Sequence, residues 1–309
     1  DPENSNAALM VAGFQKRKGN YKKYFELLET AFADPKVNID KKIMLLIPYV
    51  DSLGKDFKTK DQIFKLNRLM TEAHPNSAKA FAMYGDFLYY DDQEEEARTS
   101  YTKSIGLNDA IFDVWQKVFF IDADARQYDS LATRTNQAME VFPNQPLSYL
   151  FNGIAKNQLK NHESAIKILK SGLPMTLSNK RLKADFYNNL GDAYHALEQH
   201  ENSDNAYEKC LDLDPSNAFV LNNYSYYLSL REVNLERAKE MSAKSNELIP
   251  DQASFQDTYA WILFKMGDFK EAKTWLEKAL DNGGDNDETV LDHYGDVLFE
   301  LNDVEGAIQ

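Results

Sequence analysis

Apolar residues along this chain fall into short helical segments that polar turns separate. The stretch NNLGDAYHALEQH (188–200) shows this pattern on both sides of Gly191. A glycine inside a helix costs roughly 1 kcal/mol relative to alanine. The Gly-Asp pair nevertheless recurs in YGDFLYY (84–90) and in YGDVLFE (294–300). A helix defect that returns at intervals indicates that a small residue is required at that place.

Alignment of the chain on these glycines gives a repeat of about 34 residues. The aligned residues are spaced by 34, 34, 38, 34, 35 and 35 and are Gly85, Phe119, Gly153, Gly191, Ser225, Ala260 and Gly295. A second, mostly small position follows 12 or 13 residues later, at Ala97, Leu131, Ala165, Ser203, Ala238, Ala272 and Ala307. Prolines close several repeats, at Pro75, Pro143, Pro215 and Pro250. Each repeat is therefore predicted to be a helix, a short turn, a second helix and a closing turn.

Two repeats carry a recognisable set of large and small residues. In 184–217 this set is Tyr187, Leu190, Gly191, Tyr194, Tyr207 and Pro215. A second clear copy is DTYAWILFKMGDFKEAKTWLEKAL (257–280). These residues resemble the tetratricopeptide repeat, and the resemblance extends over nearly the whole chain. It implies an all-α fold, a right-handed superhelical solenoid of antiparallel helix pairs.

The register divides residues 1–309 into one array with a degenerate first repeat and a truncated last one. The expected boundaries are 5–43, 44–77, 78–111, 112–145, 146–183, 184–217, 218–252, 253–287 and 288–309. Within a repeat we expect Gly191 to face Ser203, and Gly85 to face Ala97, so that the two helices approach closely. Burial of flanking Leu and Tyr side chains, at roughly 1.5–3 kcal/mol each, outweighs the glycine penalty. Because Phe119 and Leu131 fill both small positions of repeat 112–145, its helices are expected to splay or shift.

The composition and charge exclude several partner classes. Aromatic residues make up 12% of the chain and its formal charge is −14, so it is predicted to fold and to repel polyanions. Nucleic acid is therefore not an expected partner. No apolar run approaches the roughly 20 residues that span a bilayer, and direct membrane insertion by this segment is not expected. The single cysteine, Cys210, excludes an internal disulfide.

No constellation of catalytic or metal-binding residues is found in the sequence. None of the five histidines lies in an HExxH motif or at metal-ligand spacing from the cysteine. No phosphate-binding loop or dinucleotide-binding fingerprint occurs. The acidic stretch DNGGDNDE (281–288) lacks the glycine and glutamate of a calcium loop, so an ordinary turn is the better interpretation. The chain is predicted to be no enzyme and to hold neither a cofactor nor a metal.

The family resemblance assigns a binding groove to the first helices of the repeats. Carried onto this sequence, its groove positions in the second half of the chain are Asn188, Asp192, His195, Asn222, Tyr226, Asp257, Trp261, Asp292 and Asp296. Side-chain amides can both donate to and accept from a peptide backbone, and aromatic residues are frequent anchors at interfaces. The acidic members favour lysine or arginine on the ligand. The basic clamp for acidic C-terminal peptides is absent, so that ligand type is not expected.

The resulting hypothesis is a non-enzymatic scaffold that binds an extended or helical segment of a partner protein in its concave groove. Two alternatives stay open: a repeat module of a larger protein, which could be an enzyme, and an array that self-associates through its ends. The basic stretch KRKGNYKK (16–23) and the acidic residues 281–309 favour the second alternative. The start DPENSN, without methionine, indicates a processed or trimmed chain. Similarity to bacterial cell-envelope repeat proteins is the one reason to suggest the periplasm or envelope.

Overall fold

A computed structural model of the chain describes residues 5–50 and 59–308. Within these ranges the chain forms eighteen α-helices and two short 3-10 helices, and no strand. The all-α prediction is therefore confirmed. The expected repeat 44–77 includes residues 51–58, which lie outside the described residues. The described helices fall into two compact bodies, Asp1–Phe151 and Asn152–Gln309.

The N-terminal body consists of consecutive helices joined by short turns. They are α1 (Ser5–Arg17), α2 (Tyr21–Ala33), α3 (Ile39–Val50), α4 (Lys60–Ala73), α5 (Ala78–Tyr89), α6 (Glu94–Leu107), α7 (Phe112–Asp124) and α8 (Tyr128–Val141). Helix α9 (Pro146–Gln158) begins in this body and ends in the next. The core of the N-terminal body runs from α1 to α7 and includes Phe32, Leu46 and Phe87, all fully buried.

The C-terminal body continues the same succession of helix pairs. Its helices are α10 (His162–Gly172), α11 (Lys180–Ala196), α12 (His200–Leu213), α13 (Ala218–Leu230), α14 (Leu235–Leu248), α15 (Ala253–Lys265), α16 (Phe269–Asp281), α17 (Glu288–Glu300) and α18 (Val304–Ile308). The four extra residues of repeat 146–183 coincide with a 3-10 helix, Leu173–Thr176, and with the 17-residue α11. Helix α13 packs on α15 and α15 on α17, so these first helices form one layer.

Two of the recurring glycines, Gly85 and Gly191, lie against a tyrosine ring from the second helix of their pair. A Cβ added at Gly191 would lie 2.6 Å from the ring of Tyr207, and one at Gly85 would lie 2.6 Å from the ring of Tyr101. Ser203 does face Gly191, since its hydroxyl donates to the Gly191 carbonyl at 2.9 Å. The expectation that Ser203 sets the close approach was nevertheless incomplete. The missing side chain makes room for a tyrosine 16 residues further along the chain.

From the α5–α6 pair onward, the turn inside each helix pair contains a residue in the left-handed conformation at the same place. In register with one another these residues are Asp92, Arg126, Lys160, Glu198, Glu232, Gly267 and Asn302. Each is followed by an amide that reaches back five residues, as in Gln199 N–H to the Tyr194 carbonyl at 2.9 Å. This bond satisfies a carbonyl that the end of the first helix would leave free. The turn geometry therefore repeats even where the residue is not glycine.

Helices α6, α7 and α8 are connected by a buried carboxylate. Asp122 of α7 is fully buried and lies 2.5 Å from the Arg98 Nε of α6 and 2.9 Å from the Arg134 Nε of α8. In the same region Phe119 and Leu131 are both fully buried. Helices α7 and α8 contact each other less extensively than α5 and α6 do. The large residues at both small positions thus coincide with a looser pair, as expected.

None of the helices in ranges 5–50 and 59–308 has the length and hydropathy that crossing a bilayer requires.

Candidate functional site

All nine predicted groove residues lie on the first helices of the C-terminal body. Helix α11 carries Asn188, Asp192 and His195, α13 carries Asn222 and Tyr226, α15 carries Asp257 and Trp261, and α17 carries Asp292 and Asp296. We call the surface formed by α11, α13, α15 and α17 the first-helix face. The residues differ widely in exposure, so the sequence register alone does not define what a ligand would meet.

Three of these residues each place an unpartnered polar atom on successive helices. No described residue bonds Asn188 Oδ1, Asn222 Oδ1 or Trp261 Nε1, and all three atoms are buried. Asn222 and Trp261 are 7% and 8% exposed. Buried polar atoms are normally hydrogen-bonded, and an unpaired one costs about 1–3 kcal/mol. Two acceptors and one donor on neighbouring helices therefore lack a partner within the described protein.

Asp257 is paired with a histidine that the sequence analysis did not select. The His293 Nδ1 of α17 lies 2.8 Å from Asp257 Oδ1, and both side chains are buried. The His293 ring also stacks on Trp261, with centroids 3.8 Å apart and planes 12° apart. Tyr226 lies 6.4 Å from the same histidine ring. His293 thereby holds three of the predicted residues in one cluster.

Asp192 is bound within the protein by the tyrosine that fills the Gly191 notch. The Tyr207 hydroxyl donates to Asp192 Oδ1 at 2.5 Å. Burial raises the pKa of Asp192, and the Tyr207 bond lowers it in part. The same arrangement occurs in the N-terminal body, where Tyr101 donates to Asp86 at 2.7 Å. The pairs Gly85–Asp86 and Gly191–Asp192 therefore each hold a tyrosine of the second helix, the glycine by contact with its ring and the aspartate by a bond to its hydroxyl.

His195 and Tyr226 border the cluster with aromatic surface. His195 stacks on Tyr227, with ring centroids 3.5 Å apart, and burial together with neighbouring His200 and Arg231 lowers its pKa. Tyr226 is half-buried, and burial together with Asp257 raises its pKa. Both rings keep part of their surface accessible to a partner.

Asp292 and Asp296 are exposed on α17 and make the outer edge of the face acidic. Among the residues that the structure describes, no group of three His, Cys, Asp or Glu side chains lies close enough to hold a metal ion. The structure thus gathers Tyr226, Asp257 and Trp261 around His293. It places Asp192 in a separate hydrogen-bond network with Tyr207.

The residues that the repeat register did not select differ in how strongly the sequence signals them. Tyr101 and Tyr207 each follow a Gly-Asp pair by the same interval, and Leu169 follows Gly153 by it too, so this signal was available. His293 lies 36 residues after Asp257, one repeat plus one position. The bond between them depends on how α15 and α17 pack, which a repeat register does not fix.

Comparison with known proteins supports the repeat assignment. The tetratricopeptide repeat family model matches residues 184–217 and 253–282. A TPR repeat-containing protein of Pseudomonas aeruginosa is 28% identical over 177 residues, which cover 56% of this chain and 28% of that protein. The chain therefore spans well under a third of the length of this relative.

Solved structures share the fold at low sequence identity. A chain of the APC/C hetero-tetramer Cut9–Hcn1 superposes with a TM-score of 0.62 at 18% identity, over 96% of this chain and 56% of that one. A tetratricopeptide repeat protein from Parabacteroides merdae superposes with a TM-score of 0.63 at 11% identity, over 88% of this chain and 99% of that one. With the matched repeats, these likenesses lead to one conclusion: residues 184–217 and 253–282 are tetratricopeptide repeats, and the chain has the fold of tetratricopeptide repeat solenoids.

Proposed function

We propose that the first-helix face of the C-terminal body binds an extended segment of a partner protein by its backbone. Tetratricopeptide repeat proteins are in general non-catalytic scaffolds for protein–protein interaction, and this proposal places that activity on one surface. The observation that carries it is the row of buried, unpartnered atoms Asn188 Oδ1, Asn222 Oδ1 and Trp261 Nε1.

A peptide backbone supplies the complementary groups. Its N–H groups can donate to the two asparagine oxygens, and a carbonyl can accept from the indole N–H. The three atoms are shielded from solvent in the unbound protein, so these side chains have to turn toward the ligand to form the bonds. The bonds would then satisfy groups that have no partner in the unbound protein. Backbone recognition of this kind is independent of the ligand sequence, and side chains then decide which partner binds.

The edge of the first-helix face determines which ligand side chains are preferred in this proposal. Asp292 and Asp296 are exposed beside the cluster, and the half-buried Tyr226 offers an aromatic surface. Carboxylates and aromatic faces both attract ammonium and guanidinium groups. We therefore propose that the preferred segment carries lysine or arginine where it passes α17.

Selection from a displayed library of random linear peptides tests the proposal. The wild-type protein should enrich a family of peptides, and Asn188→Ala with Asn222→Ala should lower their affinity by about tenfold or more, since each lost bond is worth about 0.5–1.5 kcal/mol. Asn205→Ala, on an exposed position of α12, is the matched control and should bind like the wild type. Equal binding by the double variant would refute the proposed face.

Self-association is a second candidate that the charge distribution favours. Residues 16–23 contain five basic side chains, whereas residues 281–309 contain nine acidic ones and no Lys or Arg. Phe14 of α1 and Phe299 of α17 are 45% and 63% exposed. A basic apolar face on one copy thus matches an acidic apolar face on another, a head-to-tail contact.

Light scattering at low and high salt tests this second candidate. Charge-assisted association should increase with protein concentration and weaken in high salt because exposed charges are screened. Phe299→Asp should abolish it, whereas Leu248→Asp, at another exposed apolar position, should not. A constant monomer mass at all concentrations and low salt would exclude the contact.

A further inference from the structure

Lysine 42 of α3 is fully buried and bonds the ends of two other helices. Its Nζ donates to the carbonyls of Phe32 and Asp34, at 2.8 and 2.9 Å, where α2 ends. The same Nζ lies 2.8 Å from the His74 Nε2, at the residue that caps α4. All three ammonium protons are therefore used, and one side chain connects α2, α3 and α4.

The protonation state of His74 follows from this geometry. An ammonium group is a donor only, so Nε2 must accept and carries no proton. The ring is neutral, with its proton on Nδ1, and it also bonds the backbone of Val37. His74 is half-buried, so a proton can reach it from solvent.

We propose that His74 is an acid-operated release for the packing of α3 against the ends of α2 and α4. A proton on Nε2 removes the acceptor of the Lys42 bond. It also sets an imidazolium cation 2.8 Å from the Lys42 ammonium. Both changes oppose the packing of α3 against the ends of α2 and α4, so acidification loosens this part of the N-terminal body. The device is independent of the face proposed for peptide binding.

The charged groups around the pair support this direction. Burial and the Lys42 charge lower the pKa of His74, and the Val37 bond and the Asp34 carboxylate oppose the shift in part. Burial lowers the pKa of Lys42 to about 8, so the ammonium form persists below neutral pH. The pKa of Asp34 is lowered by its hydrogen bonds with Ser5 and with the backbone of Lys36, more than by the charges of Lys36 and Lys42. Asp34 therefore stays ionised during mild acidification.

The sign of the effect follows from proton linkage. The unfolded histidine titrates near its ordinary pKa, and the folded one titrates below it. Between these two pKa values, the form in which α3 is released binds more protons than the packed form. The packing of α3 against α2 and α4 therefore becomes less stable as the pH falls. Each pKa unit of difference corresponds to a tenfold rise in the opening constant.

Hydrogen exchange measured at pH 7 and pH 5 tests the proposal. After correction for intrinsic rates, amides of α2, α3 and α4 should lose protection at the lower pH, by up to tenfold for each pKa unit that separates folded from unfolded His74. His74→Gln keeps an uncharged acceptor for Lys42, and its protection should be the same at both values. Local exchange is required because the pKa of His195 is also lowered, and a global unfolding signal would mix the two.

Two further variants make the test decisive. His162→Gln, which replaces a histidine of α10, should leave the pH effect in α2–α4 intact. Lys42→Met should return the His74 pKa, followed by NMR, toward its ordinary value. A flat wild-type response, an undiminished response in His74→Gln, or a normal pKa for His74 in the wild type would each overturn the proposal. If Lys42→Met does not fold, the two histidine variants decide the matter.

Discussion

At the scale of single residues, the contact between a glycine and a tyrosine explains why this chain retains glycines inside its helices. The ring of Tyr101 lies against Gly85 and is held at its far end by Asp86. Tyr101 is fully buried, so the ring has no free direction in which to move. The cost of a helical glycine is small compared with the area that a buried aromatic ring removes from water.

Replacing Gly85 by alanine should therefore destabilise the protein. The added Cβ would lie 2.6 Å from the Tyr101 ring, and such overpacking costs about 1–3 kcal/mol. Gly106→Ala in the adjacent α6 is the matched control, because nothing lies within 4 Å of its added Cβ. That variant should gain about 0.5–1 kcal/mol. Urea unfolding measures both, and equal changes would contradict the packing account.

Removing the hydroxyl of Tyr207 should destabilise the C-terminal body in a pH-dependent way. The bond to the Asp192 carboxylate is worth about 1.5–3 kcal/mol at neutral pH. The pKa of Asp192 is raised in the folded protein. Protonation of Asp192 therefore favours the folded state at acid pH, and this contribution to stability is lost as the pH rises through the folded pKa. Tyr207→Phe should therefore cost more at pH 7 than at pH 4. Unfolding at both values checks this, with Tyr194→Phe as a control of little effect.

At the scale of the elements, the turns tolerate a strained backbone at a fixed place. Glu198 has φ of 56° and is exposed. A non-glycine residue in this region costs about 1 kcal/mol or more. Its recurrence in register shows that the bond back to the first helix determines the turn, whatever the side chain.

Glu198→Gly should accordingly stabilise the chain by about 0.5–1 kcal/mol, because glycine adopts this conformation without strain. Glu240→Gly, at an exposed position inside α14, should instead lose about 0.5–1 kcal/mol. Thermal or urea unfolding distinguishes the two. Destabilisation by both variants would mean that the left-handed turn is not under strain.

The carboxylate that joins three helices should be more sensitive to substitution than its exposed neighbours. Asp122→Asn removes the buried counter-charge that Arg98 and Arg134 share, and Arg98 keeps only the more distant Glu95, 3.5 Å away. Complete burial would make this cost about 3–5 kcal/mol, and partial exposure of both arginines reduces the expected loss to about 2 kcal/mol. Asp124→Asn, exposed at the end of the same helix, should change stability by less than about 0.5 kcal/mol. A similar small loss for Asp122→Asn would show that the arginines are adequately solvated.

At the scale of the whole molecule, the periodicity of small residues was enough to predict the all-α architecture. Gly85, Gly191 and the prolines recur because helix packing and turn closure impose local chemical requirements. The division into two bodies near Phe151 could not be predicted from this periodicity, because the repeat continues across that point. The Lys42–His74 contact was also invisible, because it joins residues on different helices through side chains that follow no repeat.

The positions of the nine predicted residues on first helices followed from the repeat register, whereas their surroundings did not. The exposure of each residue depends on what its side chain meets. Tyr207 binds Asp192, so this carboxylate is already committed to a bond within the protein. His293 stacks on the ring of Trp261, which leaves the indole N–H, and not that ring face, for a ligand. The unpartnered atoms of Asn188 and Asn222 emerge only when all packing is known.

The affinity of a selected peptide after methylation of single backbone nitrogens tests the central claim most directly. Methylation removes one N–H donor and leaves every side chain in place. If Asn188 and Asn222 hold the ligand backbone, methylation at two positions should each weaken binding by about tenfold, and these losses should vanish in the corresponding alanine variants. Uniform tolerance of methylation along the peptide would contradict backbone recognition by this face.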